Sequence, residues 1–376
     1  MAFLFSACAG SRPQPDEFPS EASEPVVSDS GIHFQLVYIV HGDADYVYHD
    51  STGQKHFADV EALAQAQDVA EHSPRAEVFI FHQRTRHLKL FGQDLDGTVY
   101  QYRSGTRIHQ ENYSREQDSD WQEESHFLHQ RSVKKPVNRF FIYFGHEIPM
   151  HDGEGYSQSY PDKKFSRAEF MRGFDRFAKP DSANKPFAIS ILSVCYGGTP
   201  PLLKALSPYS RYVVASPAYL HLSFLDTRTF IPGLQTQYNT MEDAEIHALA
   251  DSLAGQSFRR LRENTQTEIT VALYNMNKAS PSELFPEGWR TQIEKYHDCA
   301  LDPGFDPDAA REGVELYYQA PRFGASKYKA NHSGWECPGK SFVFEKENTL
   351  PHAFESNGTQ DIPENSFDTQ NSRSQP

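Results

Sequence analysis

Residues Phe187 to Val194 read Phe-Ala-Ile-Ser-Ile-Leu-Ser-Val and run straight into Cys195. A run this apolar, with no regular gap for a solvated face, reads as a strand covered on both sides. Such strands belong to parallel sheets with helices on each face, and the surrounding runs agree. Phe34 to His41 (FQLVYIVH) leads into Gly42-Asp43, Glu77 to His82 forms a second strand, and Arg139 to Gly145 (RFFIYFG) ends at His146. Arg211 to Ala215 and Glu268 to Tyr274 extend the set. Between them, helical spacing is found from Phe57 to Glu71, from Ser166 to Ala178, over Leu202 to Leu206 and from Met241 to Glu263. Ser166 followed by Glu169 is a capping-box signature, and Phe170, Phe174 and Phe177 share one face of that helix. Ser104-Gly105, between Thr98–Arg103 and Thr106–His109, signals a hairpin. Gln110 to Lys135 has no clear period and reads as an exposed polar insertion. The expected fold class is α/β: a three-layer sandwich with a mostly parallel central sheet and helices on both faces.

In such sheets, reactive side chains collect just beyond the carboxyl ends of the strands. Two consecutive core strands here end in His146 and in Cys195. A cysteine nucleophile acts as a thiolate, and a neighbouring imidazole is the usual group that generates it. Gly197-Gly198, just after the thiol, leaves room for a substrate backbone, and backbone N–H groups of Cys195, Gly197 and the Gly145–Glu147 region are candidates to hold an oxyanion. His146 stands 49 residues (195 − 146) before Cys195. Caspases carry their histidine about 50 residues upstream of the cysteine, and one crossover helix fits that interval.

From Leu36 to about Lys278 the order of features resembles the clostripain family of cysteine peptidases, within the caspase-like clan. The resemblance rests on Tyr38-Ile39-Val40-His41-Gly42-Asp43, Phe144-Gly145-His146, Ile191-Leu192-Ser193-Val194-Cys195-Tyr196-Gly197, Arg211-Tyr212-Val213-Val214-Ala215-Ser216 and Glu268 to Asn277. It implies a caspase-like sandwich, an endopeptidase activity through a His146–Cys195 dyad and a thioacyl intermediate, and a peptide or protein as substrate. It also implies a zymogen cut between the two strands, for which Lys163-Lys164 is the candidate loop. Three positions depart from the family pattern. Glu147 stands where the family has glycine. Ser193 stands where the family often has an acidic residue lining a pocket for basic side chains, and Ser216-Pro217 lacks acidic residues too. Ser193, Ser216 and, more remotely, Asp226 are the candidate pocket residues.

Rival readings are weaker on chemical grounds. His146-Glu147-Ile148-Pro149-Met150-His151 superficially looks like a zinc-protease helix, but its histidines are five apart and Pro149 breaks a helix. His41, Asp43 and Asp45 look more like a turn after a strand than a metal site. No catalytic metal and no cofactor are expected. An α/β-hydrolase elbow with Cys for Ser would want glycine at Ser193 and a histidine after the nucleophile, for which His221, His247, His297 and His332 are available. A caspase-like fold kept as an inactive binding module at the cell surface is the alternative from another class.

The formal charge of −15, from 36 basic and 51 acidic residues, argues against nucleic acid as a partner. No apolar run reaches the roughly 20 residues needed to span a bilayer. Phe5-Ser6-Ala7-Cys8 resembles a bacterial lipobox, with Ala9 to Ser30 as a flexible tether. On that reading Cys8 is lipidated and the protein is membrane-attached outside the cytoplasm; otherwise it is cytoplasmic. Cys299 and Cys337 are then left as a candidate disulfide pair or as two separate thiols. The expected organisation is a leader and tether over 1–30, a peptidase domain over 31–344 and a disordered tail over 345–376.

Overall fold

The structure is a computed structural model. It describes residues 31–278 and 313–319, apart from 45, 51, 87–94, 116–119, 134–137, 147, 149–156, 164, 179–183, 217–219, 222–225, 236–240 and 266–268. The expected boundaries at 30 and 345, Cys8, Cys299 and Cys337 lie outside the described residues.

Five strands form the parallel heart of the sheet: β1 (Phe34–Gly42), β4 (Ala76–Arg84), β7 (Asn138–Phe144), β8 (Phe187–Ser193) and β9 (Ser210–Ala215). Their spatial order is β9-β8-β7-β1-β4, and each neighbouring pair is parallel. Antiparallel strands extend both edges. The hairpin of β5 (Gly97–Arg103) and β6 (Thr106–Tyr113) adds to β4, and β10 (Ile269–Asn275) with β11 (Val314–Gln319) adds to β9. The sheet therefore has nine strands among the described residues. A separate short ribbon pairs β2 (Val47–His49) with β3 (Lys55–Phe57). Ser104 and Gly105, at φ of 51° and 81°, close the hairpin in the left-handed conformation that its tight turn requires.

Side-chain alternation along the central strands divides the core in two. Leu36, Tyr38 and Val40 of β1 and Phe140, Ile142 and Phe144 of β7 face one side. There they pack with α1 (Ala58–Glu71), α5 (Phe230–Leu234) and α6 (Asp243–Asn264), α6 contributing Ile246, Leu249, Ala250, Leu253 and Leu261 at helical spacing. Val37, Ile39, Phe141 and Tyr143 face the other side, against α2 (Gln122–Arg131), α3 (Arg167–Phe177) and α4 (Pro200–Leu206). The expected capping box at Ser166 and Glu169 starts α3, with Ser166 Oγ accepting from Glu169 N–H and Glu169 accepting from Ser166 N–H. This is the expected three-layer α/β sandwich, its parallel part confined to the five middle strands.

The stretch over 110–135 departs from expectation. β6 continues to Tyr113, and Arg115, Trp121, Glu124, Ser125 and Leu128 are buried. Helix α2 lacks a visible period because the residues it buries are largely polar. Glu124 accepts from Gln83 Nε2 and from the Tyr113 hydroxyl, both at 2.7 Å, in place of an apolar contact. The ribbon, α5 and β11 are also additions, too short or too polar to stand out in sequence.

Phe174 is fully buried between Phe141 at 4.5 Å, Phe187 at 5.0 Å and Tyr209 at 5.4 Å. Phe174→Ala removes this ring from a core that cannot collapse around it and is expected to cost about 3–5 kcal/mol. The measure is the urea midpoint, and an unchanged midpoint contradicts the packing described.

Candidate active site

Parallel pairing sets the site. Phe144 of β7 is level with Ser193 of β8, and two residues beyond each stand His146 and Cys195. Both side chains line one small pocket of about 50 Å³, together with Phe144, Gly145, Ser193, Val194, Leu220 and His221. His146 is exposed and Cys195 is half-buried. Cys195 thus lines a pocket at the sheet end and is not sealed in the core.

The chain turns sharply over Cys195–Gly198. Tyr196 is left-handed at φ 55°, which for a bulky residue costs on the order of 1–3 kcal/mol and is a common feature of functional turns. The turn is held in place by Gly198 N–H donating to Ser216 O at 2.8 Å and by the Tyr274 hydroxyl donating to Gly198 O at 3.2 Å. Gly197 fits because a Cβ there would lie 3.0 Å from side-chain carbons of both Leu192 and Val194. Cys195 Sγ meets the Leu220 peptide twice, accepting from its N–H at 3.4 Å and donating to its carbonyl at 3.6 Å. Ser193 Oγ, in the same pocket, is buried with no hydrogen-bond partner.

Behind His146 lies a polar-aromatic relay. Tyr46 packs 6.4 Å from the His146 ring and its hydroxyl meets the His146 backbone. It also meets His41 Nδ1 at 2.9 Å, while His41 Nε2 meets the Ser157 hydroxyl at 3.3 Å. Burial, then the charges of Arg115 and His146, push the His41 pKa down to about 3, so this imidazole is neutral. Beyond it, Arg115 is buried between Asp43 at 2.9 Å and Asp96 at 3.1 Å. Burial opposes the Arg115 charge, but Asp96 and Asp43 outweigh it and hold its pKa above the ordinary value. Asp43 also accepts from the hydroxyl of Ser159 at 2.6 Å, and Asp96 from the hydroxyl of Tyr160 at 2.8 Å, so the loop between β7 and α3 is fastened to the end of β1. Around this network opens a second, larger cleft of about 340 Å³, which shares His146 as one wall.

The remaining sequence candidates fall as follows. Gly145 N–H donates to Ser193 O at 3.4 Å, so it is engaged in this arrangement. Glu147 and Lys164 lie outside the described residues. Lys163 lines the larger cleft, its Nζ donating to Arg115 O at 2.6 Å and lying 4.3 Å from the Tyr160 ring centre. Ser216 is buried and its carbonyl anchors the turn. Asp226 lines neither pocket. It caps the Thr227–Thr229 turn and pairs with Arg228 at 2.5 Å and Arg260 at 3.0 Å. Burial opposes its charge, but the hydrogen bonds from Arg228 and the charge of Arg260 keep its pKa below the ordinary value, which marks a structural ion pair. Among the described residues, no group of three or more His, Cys, Asp or Glu is arranged to hold a metal. Arg115, Tyr46, Leu220 and the placement of His221 had no sequence signal, because long-range contacts alone bring them here.

His41 gives a test of this arrangement. Its folded pKa of about 3 lies below the unfolded value of about 6.5, so the unfolded chain binds the extra proton. Its contribution is complete above about pH 6.5 and is lost as pH falls toward 3, at up to about 1.4 kcal/mol per unit. His41→Gln is expected to flatten that part of the stability profile, measured by urea unfolding at successive pH values. An unchanged slope would show that His41 is not buried in its neutral form.

No protein-family model and no curated protein matches the chain. Solved structures do. An inactive zymogen C11 protease from Parabacteroides distasonis is 11% identical with a TM-score of 0.44, over 67% of this chain and 63% of that one. A secreted C11 cysteine protease from Bacteroides thetaiotaomicron, in complex with an irreversible peptide inhibitor, is 10% identical with a TM-score of 0.47, over 67% and 68%. The chain thus spans less than two thirds of the length of the first of these. The likeness is one of fold, to C11 (clostripain-like) cysteine proteases.

Proposed function

We propose that the chain is a cysteine endopeptidase in which Cys195 is the nucleophile and His146 its proton carrier. The observation that carries this reading is that two neighbouring parallel strands deliver both side chains, at one level, to one open pocket. His146 takes the thiol proton, and Cys195 sulfur attacks the scissile carbonyl carbon. As the tetrahedral species collapses, the C–N bond breaks and His146 gives its proton to the departing amine. Water then adds to the thioester, His146 accepting its proton and returning it to the sulfur as the acid leaves. The Leu220 N–H, 3.4 Å from Sγ, is a donor in place for a sulfur that has become an anion. Glu147 and Cys195 N–H groups are candidates for the oxyanion; Gly145 N–H would first have to leave Ser193 O.

One observation supports a second assignment within the same pocket. His221 lines it together with Cys195, and burial lowers its pKa, so a base following the nucleophile in sequence is present in the same pocket. The Leu220 backbone on the sulfur also fits the binding-module reading.

Labelling with a thiol-directed peptide electrophile separates these. Cys195→Ala is expected to abolish it, and His146→Ala to slow it and peptide hydrolysis by about 10²–10⁴-fold, with His221→Ala much milder. The reverse order of the two histidine variants makes His221 the base. Absence of labelling in folded wild-type protein favours the binding module.

A further inference from the structure

The two cavities that meet at His146 divide the substrate between them. This inference rests on the peptidase reading above. In that reaction the sulfur bonds to the acyl carbon while the imidazole must reach the leaving nitrogen. The scissile bond therefore runs from Cys195 toward His146, and the chain that departs with the new amine continues past His146. In the sheet order β8-β7-β1-β4, that direction leads over the ends of β1 and β4. The larger cleft lies there: His146, His41 of β1 and Gln83 of β4 are all in its wall.

Its chemistry is specific enough to name an occupant. At about 340 Å³ it is within the range of small-ligand pockets, large enough for one bulky side chain and the adjoining backbone. The cationic groups of its wall are already engaged, Lys163 through Nζ donating to Arg115 O at 2.6 Å. Arg172 is paired with Asp120 at 3.0 Å and Glu169 at 2.7 Å, and Arg115 with Asp43 and Asp96. What the wall offers a newcomer is rings: the half-buried Tyr160 and Phe165, backed by the buried Trp121 and Tyr143. An aromatic side chain would meet ring edges and faces here.

We propose that this cleft is the binding site for the leaving-group side of the substrate and selects a bulky aromatic residue immediately after the scissile bond. The cleft is tested without turnover in Cys195→Ala protein, by calorimetry with Phe-Gly-amide and Gly-Gly-amide, whose free amines stand in for the departing product. Phe-Gly-amide is expected to bind about tenfold tighter, as partial burial of one ring allows, and Phe165→Ala to remove most of the difference. Phe165→Leu, which keeps most of the bulk but removes the ring, serves if Phe165→Ala fails to fold. Equal binding of the two ligands, or a preference that survives both substitutions, overturns the proposal. Labelling of wild-type Cys195 by an electrophile with nothing beyond the reacting carbonyl tests the peptidase reading separately. If labelling fails, that reading falls; if labelling succeeds while the aromatic preference is absent, only the cleft assignment falls.

Discussion

The parallel pairing of β7 with β8 is the constraint on which the site depends. Both strands are buried on both faces, so every backbone N–H and C=O in them must be satisfied within the sheet. Register is held by what the alternate side chains meet. Phe140 packs on Phe230 of α5 at 5.3 Å, while Phe141, one residue on, packs on Phe174 of α3 at 4.5 Å. A slip by one residue would exchange those two faces and break both contacts. It would also move His146 out of level with Cys195. The packing of Phe140 on Phe230 and of Phe141 on Phe174 therefore holds β7, and with it the strand end that leads to His146, at one height.

A second constraint holds the loops beyond the strand ends. Asp43 follows β1, Asp96 precedes β5 and Arg115 follows β6, and these three converge in a buried ion cluster. Removing one partner from such a cluster typically costs about 3–5 kcal/mol, because the remaining charge is left without compensation. The cluster does more than balance itself. Its carboxylates also hold Ser159 and Tyr160, and the Arg115 carbonyl holds Lys163. The segment leading out of the His146 turn is thereby tied to loops from the far side of the sheet. The turn after Cys195 is anchored in the other direction, through Ser216 and Tyr274. Each half of the site has its own foundation, and the two meet only at the sheet end.

The sandwich was readable because its central strands are continuous apolar runs, and because Ser166 and Glu169 announce α3 in their own local chemistry. Placing His146 and Cys195 at one pocket needed only strand ends and a parallel topology. Other parts were not readable for physical reasons. Helix α2 buries Glu124 and Ser125 and satisfies Glu124 through Gln83 and Tyr113, so its inner face looks like an outer one. Asp226, the more remote of the candidate pocket residues, pairs instead with Arg228 and with Arg260 of α6, partners that no local pattern reveals. Arg115 sits in what reads as a polar insertion, and its burial follows only from Asp43 and Asp96, each distant in sequence. Local signals encode elements; pairs of distant charges encode the environment of the site.

The sizes of the two cavities then bear on where recognition must reside. The pocket at Cys195 is about 50 Å³, room for a few water molecules and far from enough for an extended basic side chain. Ser193 at its base adds a hydroxyl without a partner, not the carboxylate that would draw in a lysine or arginine. Leu220 and His221 crowd the same space from the β9 side. Recognition on the acyl side would therefore be limited to small groups unless that segment moves. On the other side of His146 the volume is several times larger and the walls are aromatic. Contact area is larger there, and on the peptidase reading discrimination between substrates would draw mainly on it. A substrate would then be selected chiefly by the residue that leaves and much less by the residue whose carbonyl is attacked, and His146, as the wall between the two cavities, would sense both.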